Sequence, residues 1–167
     1  CIDISSQVTE LDRILVLLRH KQLENGIMGL KSLRVFLCLY DQQDTLGSDE
    51  HWILSKILPD LLYEQTTNNG SQSTSIVDII IQYLVYYKNE SVQSDAAWCL
   101  TNLSACCSTN KQLSYFLPCV PICLHIISKS NTVSSEVFKE QCCWAIGNIV
   151  SSTVDEDSLY TNALHMS

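Results

Sequence analysis

The chain has little positive charge. Ten Lys and Arg stand against 18 Asp and Glu over 167 residues, a formal net charge of −8. A nucleic-acid binder needs a basic patch to meet phosphates, so this balance argues against that class. It suits a cationic partner drawn by the field of the whole domain, although solubility also favours net charge. Long hydrophobic runs are missing too. The apolar stretch 76–87 is interrupted by Asp78 and Gln82, and no run reaches the ~20 residues of a membrane span. No signal-peptide pattern stands at the start, where Asp3 and the polar Ser5-Ser6-Gln7 follow at once. No membrane contact is expected of this stretch. The chain opens without Met and in mid-pattern, which reads as a piece of a longer protein. Catalytic signatures are absent as well. There is no Gly-rich phosphate loop or nucleophile motif, and His20, His51, His125 and His165 lie in unrelated settings. Ser and Cys are plentiful, but none sits in an activating context. Neither an enzyme nor a cofactor is expected.

Cysteine, by contrast, is abundant, with nine residues. An odd count, adjacent pairs at Cys106-Cys107 and Cys142-Cys143, and positions on apolar helix faces favour free thiols acting as small hydrophobes. Cys119, Cys123 and His125 suggest half of a zinc site, but no second half with ligand spacing appears. No metal is expected. Reduced thiols point to the cytoplasm and nucleus. Asn-x-Ser sequons at Asn69, Asn89 and Asn102 read as chance in such a chain.

Apolar residues recur at spacings of three and four, without strand-like alternation, which predicts an all-α protein. Helices are expected over 5–20 and 23–39, then over 48–63 with a kink or break at Pro59. Further helices follow over 76–87, 91–106, 111–116, 120–128 and 136–151. Polar segments 65–75 and 128–135 read as surface loops. The order is a short, a middle and a long helix, twice over, preceded by a middle-plus-long pair. Such units cannot bury their apolar faces alone and must stack. The approximate repeats are 5–41, 48–107 (with the loop insertion 65–75) and 110–152. Residues 153–167 form the start of a next repeat or a tail. Ala96, Ala97, Ala145 and Gly147 are expected to let neighbouring backbones come close.

Two segments carry the same pattern. Trp98 precedes Asn102 by four residues, Trp144 precedes Asn148 by four, and the two Trp lie 46 apart. Positions i and i+4 project from one helix face, and a repeat at this period marks a solenoid. Stacked, these units present a ladder of indoles and carboxamides suited to an extended peptide. An Asn at such a position can also cap or bridge adjacent helices, but two matched Trp-Asn pairs favour the ligand-facing role. Trp52 has Lys56 at i+4 and is taken as packing.

The stretch from Gln93 through Trp98-Cys99-Leu100-Thr101-Asn102-Leu103-Ser104 resembles the armadillo-repeat domain of the importin-α family, adaptors that recognise nuclear localisation signals. Val120-Pro121-Ile122 through Gln141-Cys142-Cys143-Trp144-Ala145-Ile146-Gly147-Asn148-Ile149 is similar to the next repeat, and the stretch 21–38, more weakly, to the one before. The resemblance implies a right-handed superhelix of about three repeats. It implies that Trp98 and Trp144 flank the stem of a Lys or Arg with cation–π attraction to its head, and that Asn102 and Asn148 pin the peptide backbone. Asp95, Glu140 and Gln141 match positions near that site. The implied function is binding of basic peptide or protein cargo in nuclear import, with importin-β engaged through a segment outside this stretch. Ser151-Ser152 stands where the family has a Gly-Asp clamp, and Cys106 where it has Gly. Asp155, Glu156 and Asp157 are candidates for a partial acidic complement, or a solvated loop. The alternative is an armadillo scaffold, or a membrane-tethered importin-like transmembrane and coiled-coil relative, with a degenerate groove and another protein partner.

Overall fold

The computed structural model describes residues 4–41, 74–107, 109–129 and 136–151. Among them the regular structure is helical: α1 (Ile4–Leu18), α2 (Leu23–Asp41), α3 (Ile76–Tyr86), α4 (Glu90–Ala105), α5 (Asn110–Ser114), α6 (Cys119–Ser128) and α7 (Glu136–Ser151). These helices follow the expected ones to within two residues at each end. The helix expected over 48–63, the core of the 65–75 insertion and the Asp155-Glu156-Asp157 cluster lie outside the described residues.

Polar side chains decide where several helices begin. Ser75 and Asp78 form a reciprocal capping box: the Ser75 hydroxyl accepts from the Asp78 N–H at 3.0 Å, and the Asp78 carboxylate accepts from the Ser75 N–H at 3.2 Å. The Asn89 side-chain Oδ1 accepts from the N–H groups of Ser91 and Val92 and starts α4. Asn89, met first as a sequon, thus has a structural task. Thr109 and Gln112 repeat the box at α5. Pro121 lies in the first turn of α6, where a missing N–H costs nothing.

The long helix α4 is the centre of the molecule. It packs against α2 on one side and α7 on the other, with α3 against it; α1 covers α2, and α6 covers α7. Each layer shares its apolar face with the next, as a stack of helical units must. Leu30, Leu33, Ile80, Leu84, Leu100, Leu103, Phe116 and Phe138 are almost completely buried in one continuous core. Ala96, Ala97 and Ala145 are buried at the contacts, where small side chains permit close approach.

Gly147 does not share that role. A side chain built there would meet nothing within 4 Å, because its side of α7 faces away from the neighbouring helices. The close approach is made elsewhere, by a glycine on α2. A β-carbon on Gly29 would lie 2.6 Å from the Leu18 nitrogen and 2.9 Å from the Leu17 carbonyl carbon, so α2 runs against the backbone of α1 at that point.

Cysteine behaves as a core residue. Cys99, Cys107, Cys119, Cys123 and Cys142 are buried and free, whereas Cys143 is exposed. Burial pushes the Cys107 and Cys119 thiols up to about 12 and raises Cys99 further. The Cys99 thiol donates to the Leu30 carbonyl at 3.7 Å, tying α4 to α2. Cys123 and Cys142 pair across the α6–α7 contact: their hydrogen bond holds Cys123 down and raises Cys142. Among the described residues no three His, Cys, Asp or Glu converge as metal ligands. Nor is any described helix long and apolar enough to cross a membrane.

Candidate functional site

The two Trp-x-x-x-Asn segments fall on the paired long helices, Trp98 and Asn102 on α4 and Trp144 and Asn148 on α7. Because α7 packs directly on α4, the repeated motif becomes neighbouring rungs. Trp144 is 60% exposed, an unusual state for an indole in a helical stack. Trp98 is half-buried.

The carboxamides differ. The Asn148 Nδ2 donates to the Thr101 carbonyl of α4 at 3.0 Å, so this side chain bridges the two helices. That bond uses one of its two N–H groups. The Asn102 Nδ2 is shielded from water and has no hydrogen-bond partner. A buried donor left unpaired costs about 1–3 kcal/mol, and such a group calls for an explanation.

Thr101 reinforces the α4–α7 seam. Its buried hydroxyl lies 3.0 Å from both the Ala97 carbonyl in its own helix and the Gln141 carbonyl of α7, and donates to one or the other. Gln141 itself is 8% exposed, while Glu140 is exposed beside it. At the end of α7 the Ser151 hydroxyl donates back to the Gly147 carbonyl at 2.7 Å.

Asp95 has a definite partner. It is 4% exposed and forms an ion pair and hydrogen bond with Arg34 of α2. The same guanidinium lies over the Trp98 ring, 5.5 Å from its centroid, within cation–π range. The hydrogen bond to Asp95, with the carboxylate's charge adding to it, raises the Arg34 pKa, while partial burial opposes the shift. Arg34 therefore stays charged over the accessible pH range. Sequence reasoning missed this residue. No motif marks it: Trp and Asn are the ninth and thirteenth residues of α4 and α7, and the same places on α2 are Lys31 and Val35.

The structure thus brings Trp98, Asn102, Trp144 and Asn148 onto one pair of stacked helices. It buries Asp95 and Gln141 and leaves Glu140 in solvent. Such an arrangement offers aromatic faces and amide donors and acceptors.

Residues 73–105, from just before α3 to the end of α4, match the model of the Armadillo/beta-catenin-like repeat family. The probable importin subunit alpha-A of Dictyostelium discoideum is 35% identical over 75 residues, which are 45% of this chain and 13% of that protein. Importin subunit alpha-9 of Arabidopsis thaliana is 30% identical over 79 residues, 47% of this chain and 14% of that protein. Importin subunit alpha-6 of the same plant is 30% identical over 85 residues, 51% of this chain and 15% of that protein. The chain therefore spans only a small part of the length of the relatives it matches. No solved structure matches it.

Proposed function

We propose that this chain carries a divergent importin-α-like armadillo solenoid, a reading supported by the armadillo match over residues 73–105 and the partial likeness to importin α subunits, and that it is a non-catalytic adaptor for extended basic peptides of the nuclear-localisation type. The exposed Trp144 indole, on the helix that packs against the helix of Trp98, is the observation that carries this reading. An indole kept in water at a matched repeat position offers a flat, polarisable face. A Lys or Arg stem packs against that face while its charged head gains cation–π attraction. The unpaired Asn102 Nδ2 adds to it: a donor left without a partner in the chain is one that a peptide carbonyl would satisfy. The net charge of −8 draws a cationic partner. On this reading the chain divides into repeats 5–41, 48–107 and 110–152, and the protein works between cytoplasm and nucleus, meeting importin-β through a segment outside this stretch.

The test is calorimetric titration of a Lys-rich import-signal peptide against the wild-type chain and the Trp98→Ala and Trp144→Ala variants. Truncation of Trp144 is expected to weaken binding by about 2 kcal/mol, roughly thirtyfold, the scale of an aromatic hot spot, and truncation of Trp98 by less, because Arg34 already lies over that ring. Unchanged affinity in folded Trp144→Ala would remove the ladder from the binding site.

A second reading draws on Ser151. Its hydroxyl turns back to the Gly147 carbonyl and brings no charge to the end of α7, which suits a scaffold that binds another extended segment. Tight binding of a peptide without basic residues would favour it.

A further inference from the structure

Arg34 has a place in the groove that the adaptor reading does not use. It sits on α2, packs its guanidinium over Trp98, and is fixed there by the buried carboxylate of Asp95. The contact has the chemistry that a basic cargo side chain would offer to the same ring: a planar cation on an indole, oriented by a carboxylate. We propose that Arg34 is an internal occupant of the Trp98 subsite, closing it from the α2 side so that a peptide's basic side chain is received only from the α7 side, at Trp144. This rests on the peptide-binding reading above and adds to it the residue that sets where recognition of basic side chains stops.

Three observations support the assignment. First, Asp95 is 4% exposed and paired with Arg34; a buried carboxylate without its partner would be strongly unfavourable, and this holds the arginine in place. Second, the Arg34 side chain is 40% exposed, so its cation stands at the rim of the groove and repels a lysine approaching from that side. Third, the two ends of the ladder differ. Trp98 is half-buried with a cation over it, whereas no described cation lies over Trp144, which is 60% exposed on the last described helix.

The experiment compares a fluorescein-labelled Lys-rich peptide on the wild-type chain, Arg34→Ala and Arg34→Ala/Asp95→Ala. The double variant removes both members of the ion pair and guards against unfolding by a stranded carboxylate. The expected result is affinity raised about threefold to tenfold in Arg34→Ala, with a smaller gain in the double variant and the gain abolished by adding Trp98→Ala. In parallel, a Trp52→Phe/Trp144→Phe background leaves Trp98 as sole emitter, and acrylamide quenching of it is expected to rise when Arg34 is removed. If the wild-type chain binds and Arg34→Ala binds equally or more weakly, Arg34 is no competitor and the proposal is overturned. If neither binds the peptide while both are folded, the adaptor reading fails and the proposal falls with it. Unchanged quenching would show that Arg34 does not cover the ring and would overturn the proposal whatever the affinities.

Discussion

Replacing Gly29 by Ala should destabilise the domain although Ala is the better helix former. Gly29 lies within α2, so a methyl group there gains about 1 kcal/mol of intrinsic helix preference. The added carbon would meet the Leu18 nitrogen at 2.6 Å, the Leu17 carbonyl carbon at 2.9 Å and the Leu17 β-carbon at 3.0 Å. Two of these three are backbone atoms of α1, which cannot swing aside as the end of a side chain can. Relief requires α1 and α2 to move apart, which loosens the contacts around Leu15, Leu18, Leu30 and Leu33. Overpacking of this kind costs about 1–3 kcal/mol, and backbone neighbours place it at the upper end. The net loss is then about 1–2 kcal/mol. Gly147→Ala is the internal control, since nothing lies within 4 Å of its added carbon; it should stabilise by about 1 kcal/mol. Thermal unfolding followed by circular dichroism should separate the two variants by about 5–10 °C, at about 2–4 °C per kcal/mol for a chain of this size. Equal midpoints, or a higher one for Gly29→Ala, would refute the α1–α2 packing described here.

Ser75→Ala removes the hydroxyl that caps α3 and should cost about 1 kcal/mol in urea unfolding. Alkaline pH should destabilise the fold. The Cys107 and Cys119 thiols rise from 9.0 to about 12 on burial, so the folded state holds protons that the unfolded chain releases. The stability they contribute is full below about pH 9 and is lost as pH climbs toward 12, to be read as a falling urea midpoint. Alkylation followed by mass spectrometry should label the exposed Cys143 well before the buried Cys99; simultaneous labelling would contradict the packing of α4.

Helix positions were readable because apolar spacing of three and four reports directly which faces are buried. The last long helix occupies 136–151, as its pattern predicts. The stacking of α4 on α7 was readable because the two helices repeat the same residues. What the pattern does not carry is the direction in which a small residue faces. Gly29 and Gly147 look alike in sequence, yet one touches backbone and the other touches nothing. Matched asparagines likewise diverge once packed, Asn148 bridging to Thr101 while the Asn102 Nδ2 goes unpaired. The Arg34–Asp95 contact spans 61 residues. It was hidden because α2 carries no Trp-x-x-x-Asn motif that would set Arg34 against α4.

The most direct measurement is a fluorescence-anisotropy titration of a labelled Lys-rich import-signal peptide against the folded chain, beside the same peptide with its lysines changed to alanine. Binding in the micromolar range or tighter, lost in the alanine peptide and weakened by added salt as screened charge attraction must be, is the expected result. Absence of binding by a folded sample, or equal binding of both peptides, would contradict recognition of basic side chains by the Trp98–Trp144 ladder.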